Sequence, residues 1–176
     1  MLRALALGAA VLAASSLAAS AHGPTRQKVT ETVEINAPPE KVWETIGNFQ
    51  DMSWHPAVAK VEGTGGNDGN ATRTLTLKSG GTIAEKLIQF DAGKKLYKYE
   101  ITDVDVKVLP VKNYSSLLSV KGEGGKSMVE WKGAFYRGFM NNDPPPELSD
   151  EAAVNAVKGV YRGGLDALKA KLEAGG

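Results

Sequence analysis

Seven stretches of alternating apolar and polar residues, followed by one long amphipathic stretch, constrain the fold of this chain more than any other feature. Alternation with a period of two indicates strands that bury one face. Short turns rich in Gly, Asn and Asp separate most of these stretches, and short turns join antiparallel neighbours. The last six strands are therefore predicted to form a meander. The seven predicted strands span residues 27–36, 57–63, 71–78, 82–90, 96–102, 111–120 and 127–137.

Helices are predicted in two places, after the first strand and after the last. Residues 40–49 place Val42 and Ile46 on one side of a short helix. Residues 51–56 are a turn or a single helical turn that stops at a proline, and we count them as a second short helix. Near the C-terminus, Ser149 caps a final amphipathic helix of roughly 24 residues. We therefore predict an α+β fold in which a seven-stranded antiparallel sheet wraps around a long C-terminal helix. A cavity is expected at the wide end of that sheet.

The first 21 residues predict a signal peptide. Arg3 gives a positive start, residues 4–17 form an apolar run of small side chains, and residues 19–21 match the small-x-small cleavage pattern. The run is short for a membrane span of about 20 residues, so a retained anchor is the less favoured alternative. We expect an exported, periplasmic protein with a single domain over residues 22–176 and no membrane span after cleavage.

Composition excludes several kinds of function. The 21 Lys and Arg residues nearly balance the 20 Asp and Glu residues, whereas a nucleic-acid-binding protein carries a clear basic excess. The absence of Cys excludes disulfides, thiolate nucleophiles and cysteine metal sites. With His22 and His55 as the two histidines, we predict no metal site and no cofactor. Copper chelation by an N-terminal His22 is the open alternative.

The expected cavity has one candidate acid and one candidate base. Glu85 shares a strand face with Ile83 and Leu87, although the opposite register, with residues 84, 86, 88 and 90 inward, fits the pattern as well. His55 is interpreted either as a general base or ligand contact, or as a structural turn residue, which is the more frequent role. The other predicted lining residues are aromatic: Trp54, Tyr97, Tyr99, Tyr114 and Trp131.

Several segments resemble a known superfamily. Residues 35–43 (INAPPEKVW), 49–56 (FQDMSWHP) and 160–168 (VYRGGLDAL) resemble the helix-grip, or START/Bet v 1-like, fold of the SRPBCC superfamily, which includes polyketide-cyclase-like proteins. The signal peptide, residues 22–25 (HGPT) and residues 134–139 (AFYRGF) are similar to the MxaD-type periplasmic proteins of bacterial methanol oxidation. The resemblance implies an accessory role, in which the protein assists methanol dehydrogenase or its electron transfer to a c-type cytochrome.

A docking surface for such a partner is predicted at Phe135, Tyr136, Arg137 and Phe139, because aromatic residues and Arg are enriched at interface centres. The alternative is that Phe135 and Phe139 pack under the final helix. Two other functions stay open. One is a carrier of a small apolar ligand in the cavity, and the other is a cyclase-like or hydrolytic enzyme that uses His55 and Glu85.

Overall fold

The computed structural model describes residues 23–174, so the predictions for the signal peptide and for His22 lie outside the described residues. All neighbouring strands of the sheet are antiparallel, in the order β1-β7-β6-β5-β4-β3-β2, which confirms the meander and the seven-stranded sheet. A 3-10 helix at Pro146–Leu148 precedes the last helix. The elements in chain order are β1 (Gln27–Ile35), α1 (Pro39–Ile46), β2 (Val58–Thr64), β3 (Thr72–Leu77), β4 (Thr82–Asp91), β5 (Leu96–Val104), β6 (Val111–Glu123), β7 (Lys126–Arg137) and α2 (Asp150–Glu173).

The last helix, α2, begins and ends as its sequence predicts. The Ser149 Oγ accepts a hydrogen bond from the Ala152 N–H at 3.1 Å, which satisfies one of the free donors of the first turn. Asp150 and Glu151 lie in that turn, where the helix dipole favours negative charge. The helix runs for 24 residues and packs on β1 and β7. Its apolar stripe is buried against the sheet: Val157, Tyr161, Leu165, Leu168 and Leu172.

Two short helices were predicted after the first strand, and the second of them does not form. Only α1 forms there among the described residues, whereas residues 51–56 form a series of turns. The Asp51 Oδ1 accepts the Ser53 N–H at 2.7 Å, and a side chain that bonds the local backbone in this way competes with helical bonding. Pro56 has no N–H to continue a helix. Helix α1 also ends earlier than expected, at Ile46.

The core lies between the concave face of the sheet and the helices. In β4 the buried positions are Ile83, Glu85 and Leu87, while Ile88 is 44% exposed. Of the two registers that fit the sequence, the structure has the one that turns Glu85 inward, which places a carboxyl group on an apolar face. Within residues 23–174, no helix is long and apolar enough to cross a bilayer.

Candidate functional site: a cavity between the sheet and the last helix

A cavity that opens to the surface lies between the sheet, the turn that precedes β2 and helix α2. The space in which the centre of a water molecule fits is about 80 Å³. The whole space between the atoms, together with the opening to solvent, is about 550 Å³. Ten of its fifteen lining residues are apolar and non-aromatic: Met52, Ala57, Val58, Leu75, Leu77, Ile83, Ile101, Val108, Leu109 and Val160. The walls therefore suit a small and mostly apolar molecule.

The structure brings five of the seven predicted lining residues to this cavity: His55, Glu85, Tyr99, Tyr114 and Trp131. The other two lie beside it in the core. Trp54 packs on the Trp131 ring with centroids 5.7 Å apart, and Tyr97 packs edge-on against Phe49 at 6.0 Å. Trp54 and Tyr97 therefore support the wall from behind.

Arg73 on β3, which was not among the predicted site residues, binds Glu85. The Arg73 Nε donates to Glu85 Oε2 at 2.6 Å, and its Nη1 donates to the Phe49 carbonyl at 2.6 Å. The guanidinium also lies 4.1 Å from the centre of the Phe49 ring, a cation–π distance. Burial raises the pKa of the Glu85 carboxyl, and the charge of Arg73 opposes that rise. Arg73 follows the alternation of Ala71 and Leu75, so the pattern of β3 did place it inward.

A chain of hydroxyl groups crosses the cavity wall from the sheet to α2. The Tyr114 and Tyr161 hydroxyls lie 2.6 Å apart, and the Ser116 Oγ lies 2.9 Å from the Tyr161 hydroxyl. The Trp131 Nε1 donates to Ser116 at 3.0 Å and to the Tyr99 hydroxyl at 3.1 Å. Burial raises the pKa of all three tyrosines, so they stay protonated at neutral pH. The wall thus offers neutral hydroxyl groups inside an apolar cavity.

His55 uses both ring nitrogens on the backbone. The Nδ1 accepts the Ala57 N–H at 3.2 Å, and therefore Nε2 carries the proton and donates to the Val160 carbonyl at 3.0 Å. Burial lowers the pKa of this imidazole, which favours the neutral form. With both nitrogens engaged, His55 ties the turn before β2 to helix α2 and has no free lone pair for general-base catalysis.

The candidate docking residues differ widely in exposure. Phe135 is fully buried and stacks on Tyr114, with ring centroids 6.0 Å apart. Arg137 is 5% exposed, and it binds the Phe139 and Asn141 carbonyls and the Asp150 carboxylate at 2.8–3.0 Å. Tyr136 and Phe139 are half-buried. The burial of Phe135 favours the packing alternative for that residue, and hydrogen bonds within the chain hold the Arg137 guanidinium.

Comparisons with known proteins agree with this architecture. The family model described as polyketide cyclase / dehydrase and lipid transport matches residues 26–173. The structure of XoxI from Bacillus cereus is 35% identical with a TM-score of 0.70, and the match covers 83% of this chain and 95% of that one. An uncharacterised protein from Bacillus thuringiensis is 34% identical with a TM-score of 0.71, over 84% of this chain and 99% of that one.

Norcoclaurine synthase from Thalictrum flavum, solved in complex with dopamine and hydroxybenzaldehyde, is 16% identical with a TM-score of 0.64. That match covers 86% of this chain and 89% of the synthase chain, and at this identity it shows the fold alone. No curated protein matches the chain.

Proposed function

Since the chain belongs to the polyketide cyclase / dehydrase and lipid transport family, we propose that it binds a small, mostly apolar molecule in the cavity between the sheet and α2. The observation that carries this proposal is the mostly apolar cavity with Glu85, Tyr99 and Tyr114 on its wall. Apolar walls with a few buried polar groups are the usual composition of a small-molecule site.

Two features of the wall support binding rather than acid–base turnover. His55, the one histidine of residues 23–174, has both ring nitrogens in backbone hydrogen bonds. Glu85 is paired with Arg73, whose Nε donates to Oε2 at 2.6 Å, so one of the two carboxylate oxygens is already occupied. A carrier needs a shaped apolar cavity and no activated base.

The test is to purify the protein from the periplasm of its native host and to identify bound molecules by extraction and mass spectrometry. A stoichiometric apolar compound is the expected result. A Leu77→Trp variant, which places an indole at the half-buried edge of the cavity, should lose that compound. A Thr76→Trp variant, whose side chain points to the other face of β3, is the matched control and should keep it. A wild-type protein without any bound compound would contradict the proposal, and absence from the periplasm would contradict the predicted export.

The second candidate function is the accessory role in methanol oxidation. It rests on the resemblance of the predicted signal peptide, residues 22–25 and residues 134–139 to MxaD-type proteins. Tyr136 and Phe139 are half-buried, and Met140 is 42% exposed, so the end of β7 offers apolar surface to a partner. In this proposal the protein is periplasmic and contacts methanol dehydrogenase, its c-type cytochrome or both.

The accessory role is tested by the rate at which methanol dehydrogenase reduces its cytochrome, with and without the protein. Saturable stimulation is the expected result. A Met140→Ser variant should reduce this stimulation, whereas Met128→Ser, which alters an equally exposed methionine near the start of β7, should not. A rate that is unchanged across a wide range of protein concentrations would exclude the role.

A further inference from the structure

The polar wall of the cavity has one acceptor atom without a protein partner. Glu85 binds Arg73 through Oε2, and within residues 23–174 no hydrogen bond reaches Oε1. The side chain is 5% exposed and lines the cavity, so Oε1 faces the space that a ligand would occupy. An acceptor in this position favours a ligand that donates a hydrogen bond.

One hydroxyl donor of the same wall makes only a long hydrogen bond. Which hydroxyl this is follows from working out, bond by bond, which group donates and which accepts. A carbonyl oxygen can only accept, so the single hydroxyl hydrogen of Ser116 goes to the Lys132 carbonyl at 2.9 Å. Tyr161 must then donate to Ser116, and Tyr114 must donate to Tyr161. The chain ends at Tyr99, whose O–H points to a Tyr114 oxygen 3.4 Å away, beyond the normal range of such bonds.

These two groups lie on neighbouring strands of the same wall. In the register of β4 and β5, Glu85 pairs with Ile101, and Leu87 pairs with Tyr99, so Glu85 and Tyr99 occupy adjacent rows of the concave face. Both side chains line the cavity. Both polar groups are therefore open to a ligand that fills the cavity.

The charge of the wall restricts the ligand as well. Glu85 is the one charged side chain among the lining residues, and Arg73 balances it from behind. The net charge of this pair is zero. A charged ligand would therefore lose its hydration in an apolar cavity without an opposite net charge to compensate.

We propose that the ligand is an uncharged, mostly apolar molecule with a hydroxyl group, which donates to Glu85 Oε1 and accepts from the Tyr99 hydroxyl. This inference rests on the proposed binding function and names its ligand class. A hydroxyl group is the simplest neutral group that is both donor and acceptor at one atom.

The test compares four probes of similar size by isothermal titration calorimetry on the purified protein after ligand extraction: p-cresol, toluene, benzylammonium and benzoate. We expect p-cresol to bind roughly tenfold more tightly than toluene, because two buried hydrogen bonds each contribute about 0.5–1.5 kcal/mol. The two ions should bind more weakly than p-cresol.

A Tyr99→Phe variant tests the donor without opening the fold, because Ser116 still accepts the Trp131 N–H. Its affinity for p-cresol should fall about fivefold, while its affinity for toluene should stay unchanged. Tyr136→Phe, which removes a hydroxyl outside the cavity, is the matched control and should change neither affinity.

The outcomes separate this inference from the proposed function. Equal binding of p-cresol and toluene, or tightest binding of either ion, would overturn the hydroxyl class and leave a cavity that binds ligands. Binding of none of the four probes would overturn the inference. If none of the probes binds and the purified protein also carries no compound, the proposed function is overturned too.

Discussion

The Nε of Arg73 lies 2.6 Å from Oε2 of Glu85, and neither side chain is more than 5% exposed. The pair joins β3 to β4 at directly opposed positions, because Arg73 and Glu85 are partners in the strand register. The remaining guanidinium nitrogen, Nη2, is buried without a partner among residues 23–174. The pair is thus almost entirely removed from solvent, and each charge depends on the other.

Removal of one member of this pair should destabilise the protein strongly. We expect Arg73→Met to lower the free energy of unfolding by about 3–5 kcal/mol, because it leaves a buried carboxylate without compensation. Adding Glu85→Leu should restore much of that loss. Lys60→Met, which breaks the exposed Lys60–Glu62 pair, is the control and should cost about 0–1 kcal/mol. Urea denaturation followed by circular dichroism measures all three, and a single variant as stable as the control would contradict the prediction.

Two neighbouring glycines of α2 should respond in opposite directions to alanine. A Cβ atom on Gly164 would lie 2.6 Å from His55 Cδ2 and 2.9 Å from Trp131 Cζ3, whereas one on Gly163 would meet no atom within 4 Å. Gly164→Ala should therefore destabilise by about 1–3 kcal/mol through overpacking. Gly163→Ala should stabilise by about 0.5–1 kcal/mol through helix propensity. Thermal denaturation of both variants checks this, and stabilisation by Gly164→Ala would show that α2 is not in close contact with the turn.

The neutral His55 should make stability depend on pH. Burial lowers the pKa of His55 below its ordinary value of 6.5, so between the folded-state pKa and 6.5 the unfolded chain binds more protons. The free energy of unfolding therefore falls as the pH decreases through that window. Urea denaturation at pH 7 and pH 5 should show a smaller loss for His55→Gln than for the wild type. His22→Ala, which removes the other histidine, should keep the wild-type loss, and equal losses in all three proteins would contradict this role of His55.

Substitution of Arg137 should lower the free energy of unfolding, because its side chain bonds within the chain. Its guanidinium holds two carbonyl groups of the segment after β7 and the Asp150 carboxylate at the start of α2. We expect Arg137→Gln to cost about 1.5–3 kcal/mol, the range for hydrogen bonds to charged groups. Lys132→Gln, at an exposed position of the same strand, should cost little. Chemical denaturation measures the difference, and equal stability of the two variants would contradict this structural role.

Much of the fold could be predicted from sequence because its signals are local. Alternation fixed the seven strands to within a few residues, and Ser149 with the acidic residues after it marked the start of α2. Such features depend on neighbours along the chain, whose backbone preferences act over three or four residues. The error at residues 51–56 has the same origin, because the Asp51 side chain and Pro56 favour turns over a helix.

The sequence by itself therefore determined most of the elements, their order and which residues of most strands face inward. It left two registers open for β4, so the inward position of Glu85 was decided by the tertiary structure. The tertiary structure alone decided what those inward residues contact. It placed Arg73 behind Glu85, engaged both nitrogens of His55 and buried Phe135 and Arg137. Several of these contacts join residues far apart in the chain, up to 105 positions for His55 and Val160. Their geometry is set by strand register and by the packing of α2 across the sheet, which no local pattern encodes.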